Sequence, residues 1–536
     1  MPPRRPLAAL TLALTALAAP LAAQDAPPAP WLRGATCYEI FVRSFADSDG
    51  DGIGDLRGLT ARLDHLRALG VRCLWLTPIT KAPSYHGYDP SDHYTIAREY
   101  GTDADMRRLV DVAHRAGIRV LIDMVLNHVS SEYPPFQAAL RDTASPYRGW
   151  FRFAPAPGPT NQWGGTNWHR SPRRDEWYYG FFWSGMPDLN HEHPGPRAEM
   201  RRVATHWLRT IGVDGFRLDA VKYLVEEGER LDDTPATHRV LAEWQRHVKR
   251  IRPRAWNVGE VFDSTAALLP YYPGQLDAYF AFEVSDSILA GVRRGDGRGL
   301  LAPMLRLQDA VPWWRIAPFL RNHDQSRTAT VLGGDLAGAR LAAAILLTLP
   351  GVPFVYYGEE LGMQGDKPDE RIRTPMPWRD DAPHAGFTTG RPWQPLAADS
   401  LVANVAVQQR DSASLLAWYR SLVRLRAAHP VLASGRLVPL SASDPSVAAW
   451  LRVEGRERWL VVASLGRDPL AADLVLRAPA DALGAGTHTV IEPLLSSASS
   501  SITVAADGAI TLAPLAPRSI RVLRLGSSGG VLQRDR

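Results

Sequence analysis

Lysine is nearly missing from this chain: Lys81, Lys222, Lys249 and Lys367 stand against 57 arginines in 536 residues. The arginines are scattered and form no basic block, so a net charge of +5 describes a solvated surface and excludes a nucleic-acid footprint. Cysteine is scarcer still. Cys37 and Cys73 are the only two, both in apolar strand-like runs, and one disulfide or two buried thiols satisfy the sequence equally. Past the N-terminus no segment offers 18 uninterrupted apolar residues, so no membrane-spanning helix is expected, and no cysteine near the N-terminal apolar run is placed to take a lipid. No internal repeat is present.

What is present begins with an export signal. Arg4 and Arg5 precede an apolar run from Leu7 to Leu17 and small residues through Ala23, so residues 1–23 are expected to be a signal peptide delivering the protein to the periplasm or the medium. A Pro-rich linker follows near 25–30. With 45% apolar and 22% charged residues, the remainder can bury a large core in two or three domains.

Eight short apolar runs, "CYEIFV", "VRCLWL", "IRVLIDMV", "GVDGFRL", "AWNVGE", "LDAYFAF", "IAPFLR" and "VPFVYY", alternate with segments of helical period such as Leu59, Leu63, Leu66 and Met106, Leu109, Val110, Ala113. A (β/α)8 barrel and a doubly wound open sheet both produce this alternation. Nearly every run ends in Asp, Glu, His or Asn, on the face where barrel enzymes place their chemistry, which favours the barrel over residues 31–128 and 188–430. Residues 129–187 break the rhythm with eleven aromatics between Trp150 and Trp183 and read as a subdomain inserted after strand 3, its aromatics mostly its own core. Beyond a helical run from Ser414 to Ala428, residues 431–526 alternate like a C-terminal antiparallel β domain.

Four strand ends carry the chemistry: "DMVLNH" (123–128), "GFRLDAVKY" (215–223), "NVGEVF" (257–262) and "LRNHDQSR" (320–327). Alone, an Asp or Glu at a strand end is usually an N-cap or half of an ion pair, and a His a satisfied core residue. Three carboxylates converging on one barrel mouth are harder to explain as structure, because clustered carboxylates repel. Glycoside hydrolysis needs such a pair, one anionic and one holding a proton at neutral pH. Arg217, two residues before Asp219, points to the same strand face and is expected to keep Asp219 ionised and nucleophilic. Burial of Glu260 is expected to raise its pKa and suit it to protonate a departing glycosidic oxygen. Asp324 is placed to bind sugar hydroxyls and steady oxocarbenium-like charge.

These four clusters, in order, resemble the signature regions of the α-amylase family of retaining glycoside hydrolases over about residues 36–430. "MPDLN" (186–190) resembles a fifth region found in members intermediate between oligo-1,6-glucosidases and neopullulanases. The resemblance implies Asp219 as nucleophile, Glu260 as general acid/base and Asp324 as transition-state stabiliser. It puts Tyr88, His128, Arg217 and His323 around the first glycone subsite with His86 and Asp89 alongside, and Lys222 on the leaving-group side. Tyr223 departs from the histidine of many α-amylases.

"DSDGDGIGDLRG" (47–58) spaces Asp47, Asp49 and Asp51 like an EF-hand calcium loop, but Gly58 stands where the closing glutamate belongs. In the oligo-1,6-glucosidase-like branch such a loop binds one structural calcium, which implies Asp47, Asp49, Asp51, Asp55 and the Ile53 carbonyl as ligands; an acidic turn without metal is the alternative. The substrate signals divide. Asp89 after Tyr88, with Arg371 or Arg373 free to pair with it and wall off a chain end, points to an exo-acting α-glucosidase. His86 in place of the usual asparagine, "MPDLN" and Lys222 point to an α-amylase. The expected function is an exported, monomeric α-amylase cutting internal α-1,4 bonds of α-glucans and maltooligosaccharides. The alternatives are an exo-acting α-glucosidase or oligo-1,6-glucosidase, or a transglycosylase such as a trehalose synthase. A barrel that has lost its reaction is disfavoured because all three carboxylates are present.

Overall fold

The computed structural model describes residues 29–158, 160, 164–479, 482–494 and 496–526; the signal-like segment 1–23 lies outside them. All eight expected strands form: β1 (Cys37–Ile40), β2 (Cys73–Leu76), β3 (Arg119–Val125), β4 (Gly215–Asp219), β5 (Trp256–Gly259), β6 (Ala278–Phe280), β7 (Ile316–Ala317) and β8 (Phe354–Tyr356). Neighbours pair in parallel from β1 to β7, and β8 returns to β1. A parallel bridge between Phe319 and Phe354, with Phe354 N donating to Pro318 O at 2.9 Å, closes the circle and excludes the open sheet.

Every residue of β1, β2, β4 and β5 is buried, the pattern of parallel strands covered on both faces, and this is why they read as continuous apolar runs. Trp75, Phe280 and Phe354 interlock inside the barrel at centroid distances of 5.3 and 4.9 Å and give the site above them a solid floor. Cys37 and Cys73 are register partners on β1 and β2, with Cα atoms 4.3 Å apart, and they form a disulfide; the choice left open by the sequence resolves to the bonded form. The helical run through Leu59, Leu63 and Leu66 divides into Leu56–Ala61 and Leu63–Leu69 at Arg62. The helix Asp103–Arg115 starts on a Thr102–Asp105 capping box and buries Met106, Leu109, Val110 and Ala113.

After β3 the chain builds a helix (Pro134–Arg141) and a three-stranded antiparallel sheet (Phe153–Ala154, Trp168–Arg170, Trp177–Tyr179). Phe136 packs against Phe151 and Tyr178 at 4.9 and 5.1 Å, so these aromatics form a local core. From Arg436 to Leu525 eight antiparallel strands close into a second barrel around Leu451, Leu460, Val462 and Leu523.

Arg452 ties this second barrel to the first, and Arg426 braces the same helix end from within the first; both are fully buried. Arg426 donates to the carbonyls of Leu347, Leu349, Gly351 and Leu432 at 2.6–3.0 Å. Arg452, on a strand of the second barrel, donates to Thr348 O at 3.0 Å and Gly435 O at 2.6 Å. Together they satisfy carbonyls at the end of the helix Leu336–Thr348, which would otherwise be buried without donors. Among the described residues no helix is long and apolar enough to cross a membrane.

Candidate active site

The C-terminal ends of the barrel strands bring the four charged clusters together around Arg217. Its guanidinium is fully buried, an unfavourable place for a cation unless acids surround it. Three acids do. Nη1 donates to both oxygens of Asp123, from β3, at 2.9 Å and to Asp219 Oδ1 at 2.7 Å, and Nη2 donates to Glu260 Oε2 at 2.5 Å. Arg217 and Asp219 share a strand face because they are two residues apart, and Glu260 follows directly on β5. One guanidinium thus spans both carboxyl groups and keeps them close.

Burial pushes the Asp219 carboxyl up to about 6, even against the Arg217 cation. This corrects the expectation of a depressed pKa: Arg217 is shared among three acids, and desolvation outweighs its pull. Burial also pushes Glu260 up to about 7, with the Asp219 charge adding to the rise. The two buried carboxyls share one guanidinium and titrate as a pair.

Asp324 follows β7 on the opposite wall. Burial pulls its carboxyl upward, but His323 and Arg373 outweigh it and hold Asp324 well below the usual carboxylate range. Asp324 Oδ2 lies 3.1 Å from His323 Nε2, and Oδ1 accepts from Arg373 Nη2 at 2.9 Å. Burial lowers the His323 imidazole, and Asp324 and Glu39 reverse this and raise it to about 10. Tyr88 stacks on His323 with centroids 5.2 Å apart and donates its hydroxyl to Asp123 Oδ2 at 2.9 Å.

Tyr88, Asp219, Glu260, Asp324 and Arg373 line a cavity of about 800 Å3, while Arg217 and His323 are not part of the lining and stand behind these groups. His86 and His128 sit in its wall, each held neutral by burial, which lowers both imidazoles to about 4; His128 Nε2 pairs with Tyr88 O at 2.8 Å. Lys222 donates to Asp263 at 2.8 Å, and both line the cavity. The expected pairing of Asp89 with an arginine does not form with Arg373. Asp89 is buried and accepts from the Ser84 hydroxyl, while Arg373 Nη2 serves Asp324 and Asp369, each at 2.9 Å. Asp89 therefore stands behind the wall and is not part of the lining. The sequence pattern did not point to Asp369 or Phe262; Phe182 and Trp183 belong to the insert's aromatic run, whose members could stack on sugar rings, and with Phe262 they form an aromatic rim 42, 52 and 63% exposed. Large apolar side chains exposed beside four charged strand ends were the available signal.

A model of the α-amylase catalytic domain matches residues 39–435. The chain belongs to the α-amylase family. It is a retaining glycoside hydrolase of that family. It is 37% identical to alpha-amylase 3 of Dictyoglomus thermophilum, over 82% of this chain and 86% of that one. It is 35% identical to a trehalose synthase/amylase of Mycolicibacterium smegmatis over 80% and 81%, and 30% identical to an oligo-1,6-glucosidase of Heyndrickxia coagulans over 83% and 93%. Among solved structures it superimposes on the alpha-amylase from H. orenii with a TM-score of 0.79 at 35% identity, covering 92% of this chain and all of that one.

The acidic loop follows β1 and contributes no residue to the lining of the cavity. Asp47, Asp49 and Asp55 each bring an oxygen within 4.8 Å of the others, while the Asp51 carboxylate is outside that tight set. Asp55 also caps the helix Leu56–Ala61: Oδ1 accepts from Arg57 N and Gly58 N at 2.8 Å, and Oδ2 accepts from Ser48 N at 2.7 Å, which leaves Oδ2 a free lone pair. Burial raises the Asp51 carboxyl, and the charges of Asp49, Asp47 and Asp55 raise it further. These hard carboxylate oxygens fit a hard cation such as calcium.

Proposed function

We propose that this family member is an exported α-amylase that hydrolyses internal α-1,4 bonds of starch-like glucans and maltooligosaccharides with retention. Asp219 attacks the anomeric carbon while Glu260, still protonated near neutrality, gives its proton to the glycosidic oxygen; the deprotonated Glu260 then activates water to release the sugar. Asp324, the most acidic of the three, faces the developing positive charge. Arg217 holds both reacting carboxyls in place, and Lys222 with Asp263 borders the departing side. Asp47, Asp49, Asp51, Asp55 and the Ile53 carbonyl would hold one calcium, which braces the loop and supplies no catalytic ligand.

The observation that carries endo action is the orientation of Arg373. Turned onto Asp324 and Asp369 instead of Asp89, it makes no wall with Asp89 at the non-reducing end. The Cys37–Cys73 disulfide supports export, since such bonds persist in oxidising compartments. A blocked-end maltoheptaoside tests the reading. An endo enzyme releases its chromophore when a coupling glucosidase is added; no release, with rapid hydrolysis of p-nitrophenyl α-glucoside, means an exo-acting α-glucosidase instead. Similarity to the trehalose synthase/amylase favours a second reading, transfer of the glucosyl group to an acceptor sugar, and incubation with maltose separates them by the disaccharides formed.

A further inference from the structure

Glu39 has no part in the chemistry above, yet it is a carboxylate 1% exposed in the middle of the apolar strand β1. Its register neighbours are Trp75 on β2 and Tyr356 on β8. Its Oε1 lies 2.5 Å from His323 Nδ1 and accepts from the His323 main-chain N at 3.3 Å. On the far side of the ring, Nε2 faces Asp324 Oδ2 at 3.1 Å and the Tyr88 hydroxyl at 2.6 Å. That hydroxyl donates its single proton to Asp123 and receives Arg217 Nη1 at 3.3 Å, so toward Nε2 it acts as an acceptor. Acceptors therefore face both ring nitrogens. Only the doubly protonated imidazolium donates on both sides; either neutral tautomer sets a lone pair against a carboxylate.

We propose that Glu39 is a positioning residue whose carboxylate keeps His323 doubly protonated, so that the imidazolium holds Asp324 anionic and aimed at the reacting sugar. The proposal rests on the reading of Asp324 as the group that stabilises the oxocarbenium-like charge. The surroundings of the ring oppose each other. Arg217 Nη1 reaches the same Tyr88 hydroxyl, and Arg373 Nε donates to the His323 carbonyl at 2.8 Å; both cations disfavour a third, and burial raises the Glu39 carboxyl while His323 and Arg217 pull it down. Asp123, Asp219 and Glu260 favour it, and His86 is a further titratable neighbour. Asp324 divides its charge between His323 and Arg373, whereas among the described residues Glu39 directs its side-chain hydrogen bonds to His323.

Glu39→Gln keeps the shape and the acceptor and removes the charge. Above the lowered imidazole pKa, His323 becomes neutral and withdraws its proton from Asp324, so the loss of rate grows with pH. The expected result is a kcat about 100-fold below wild type at pH 8, the scale of losing one stabilising donor, and within about threefold at pH 5.5, where protons keep the ring charged, with KM little changed. The variant-to-wild-type ratio cancels the titration of Glu260, and a purely structural defect leaves that ratio flat. NMR of the full chain labelled with 15N-histidine, with His323 assigned by the signal lost in His323→Asn, reads the ring directly. Wild type and Glu39→Asp are expected to show imidazolium at pH 8, and Glu39→Gln neutral imidazole. A neutral His323 in wild type or in Glu39→Asp, or a flat activity ratio, overturns the proposal, and the first two decide it even if Glu39→Gln does not fold. Near-normal turnover of Asp324→Asn defeats the role given to Asp324, while the charge state of His323 read by NMR still decides the role of Glu39.

Discussion

Replacing Arg217 with methionine tests the electrostatic centre of the site. The guanidinium is fully buried and hydrogen-bonded to Asp123, Asp219 and Glu260, so Arg217→Met keeps much of the volume and leaves three buried acids without their cation. Removing one partner of a buried ion pair destabilises by about 3–5 kcal/mol. Unfolding entropy of about 2.1 cal/mol/K per residue gives about 0.8 kcal/mol/K for a barrel unit of about 400 residues, so the melting temperature should fall by about 4–6 °C at pH 8. The sign with pH follows from linkage. Burial already raises Asp219 to about 6 and Glu260 to about 7, and loss of Arg217 raises them further. A carboxyl whose folded pKa lies above its unfolded one favours folding at low pH and opposes it once pH passes the folded value. The deficit should therefore shrink at pH 5.5, where the acids take up protons. Calorimetric melts of both proteins at the two pH values check this. A deficit that is absent at pH 8, or larger at pH 5.5, refutes the reasoning.

Asp219→Asn should fold with an unchanged melt and lose several orders of magnitude in kcat, and the sugar first released by wild type should be the α anomer by NMR; predominantly β sugar excludes retention. The pH profile of kcat/KM should be a narrow bell, falling below about 6 as the pair gains its second proton and above about 7 as Glu260 loses its own; a plateau from pH 5 to 9 contradicts these assignments. Chelation should lower the melting temperature before it lowers turnover at moderate temperature, and Asp49→Ala should reproduce the effect. A melting curve indifferent to chelator makes the loop an acidic turn.

The barrel was legible because strands buried on both faces must be apolar throughout, and runs such as "VRCLWL" and "VPFVYY" carry that demand in the order of residues. Strand-end clusters marked the site for a similar reason: carboxylates that would repel in isolation were grouped at one end of the alternation. Burial was the quantity the linear order could not express. Arg217 beside Asp219 suggested a depressed carboxyl, yet one guanidinium divided among three acids does not offset full desolvation. Glu39 was invisible because a single polar residue inside "CYEIFV" looks like one turned to solvent, and its partner lies 284 positions away. Asp89 misled in the opposite direction: its place after Tyr88 is a local fact, whereas the choice of Arg373 between Asp89 and Asp369 depends on how distant loops meet.

The buried Arg452 at the junction of the two barrels bears on how this chain can be recombined. Thr348 and Gly435, whose carbonyls accept from Arg452, precede it in sequence, and Arg452 itself enters with the second barrel. A chimera whose crossover falls between residues 435 and 452 takes the acceptors from one parent and the donor from the other. Libraries built from shuffled relatives should therefore yield folded members chiefly where the incoming segment supplies an arginine at that place, and screening at position 452 would sort viable junctions before any activity is measured.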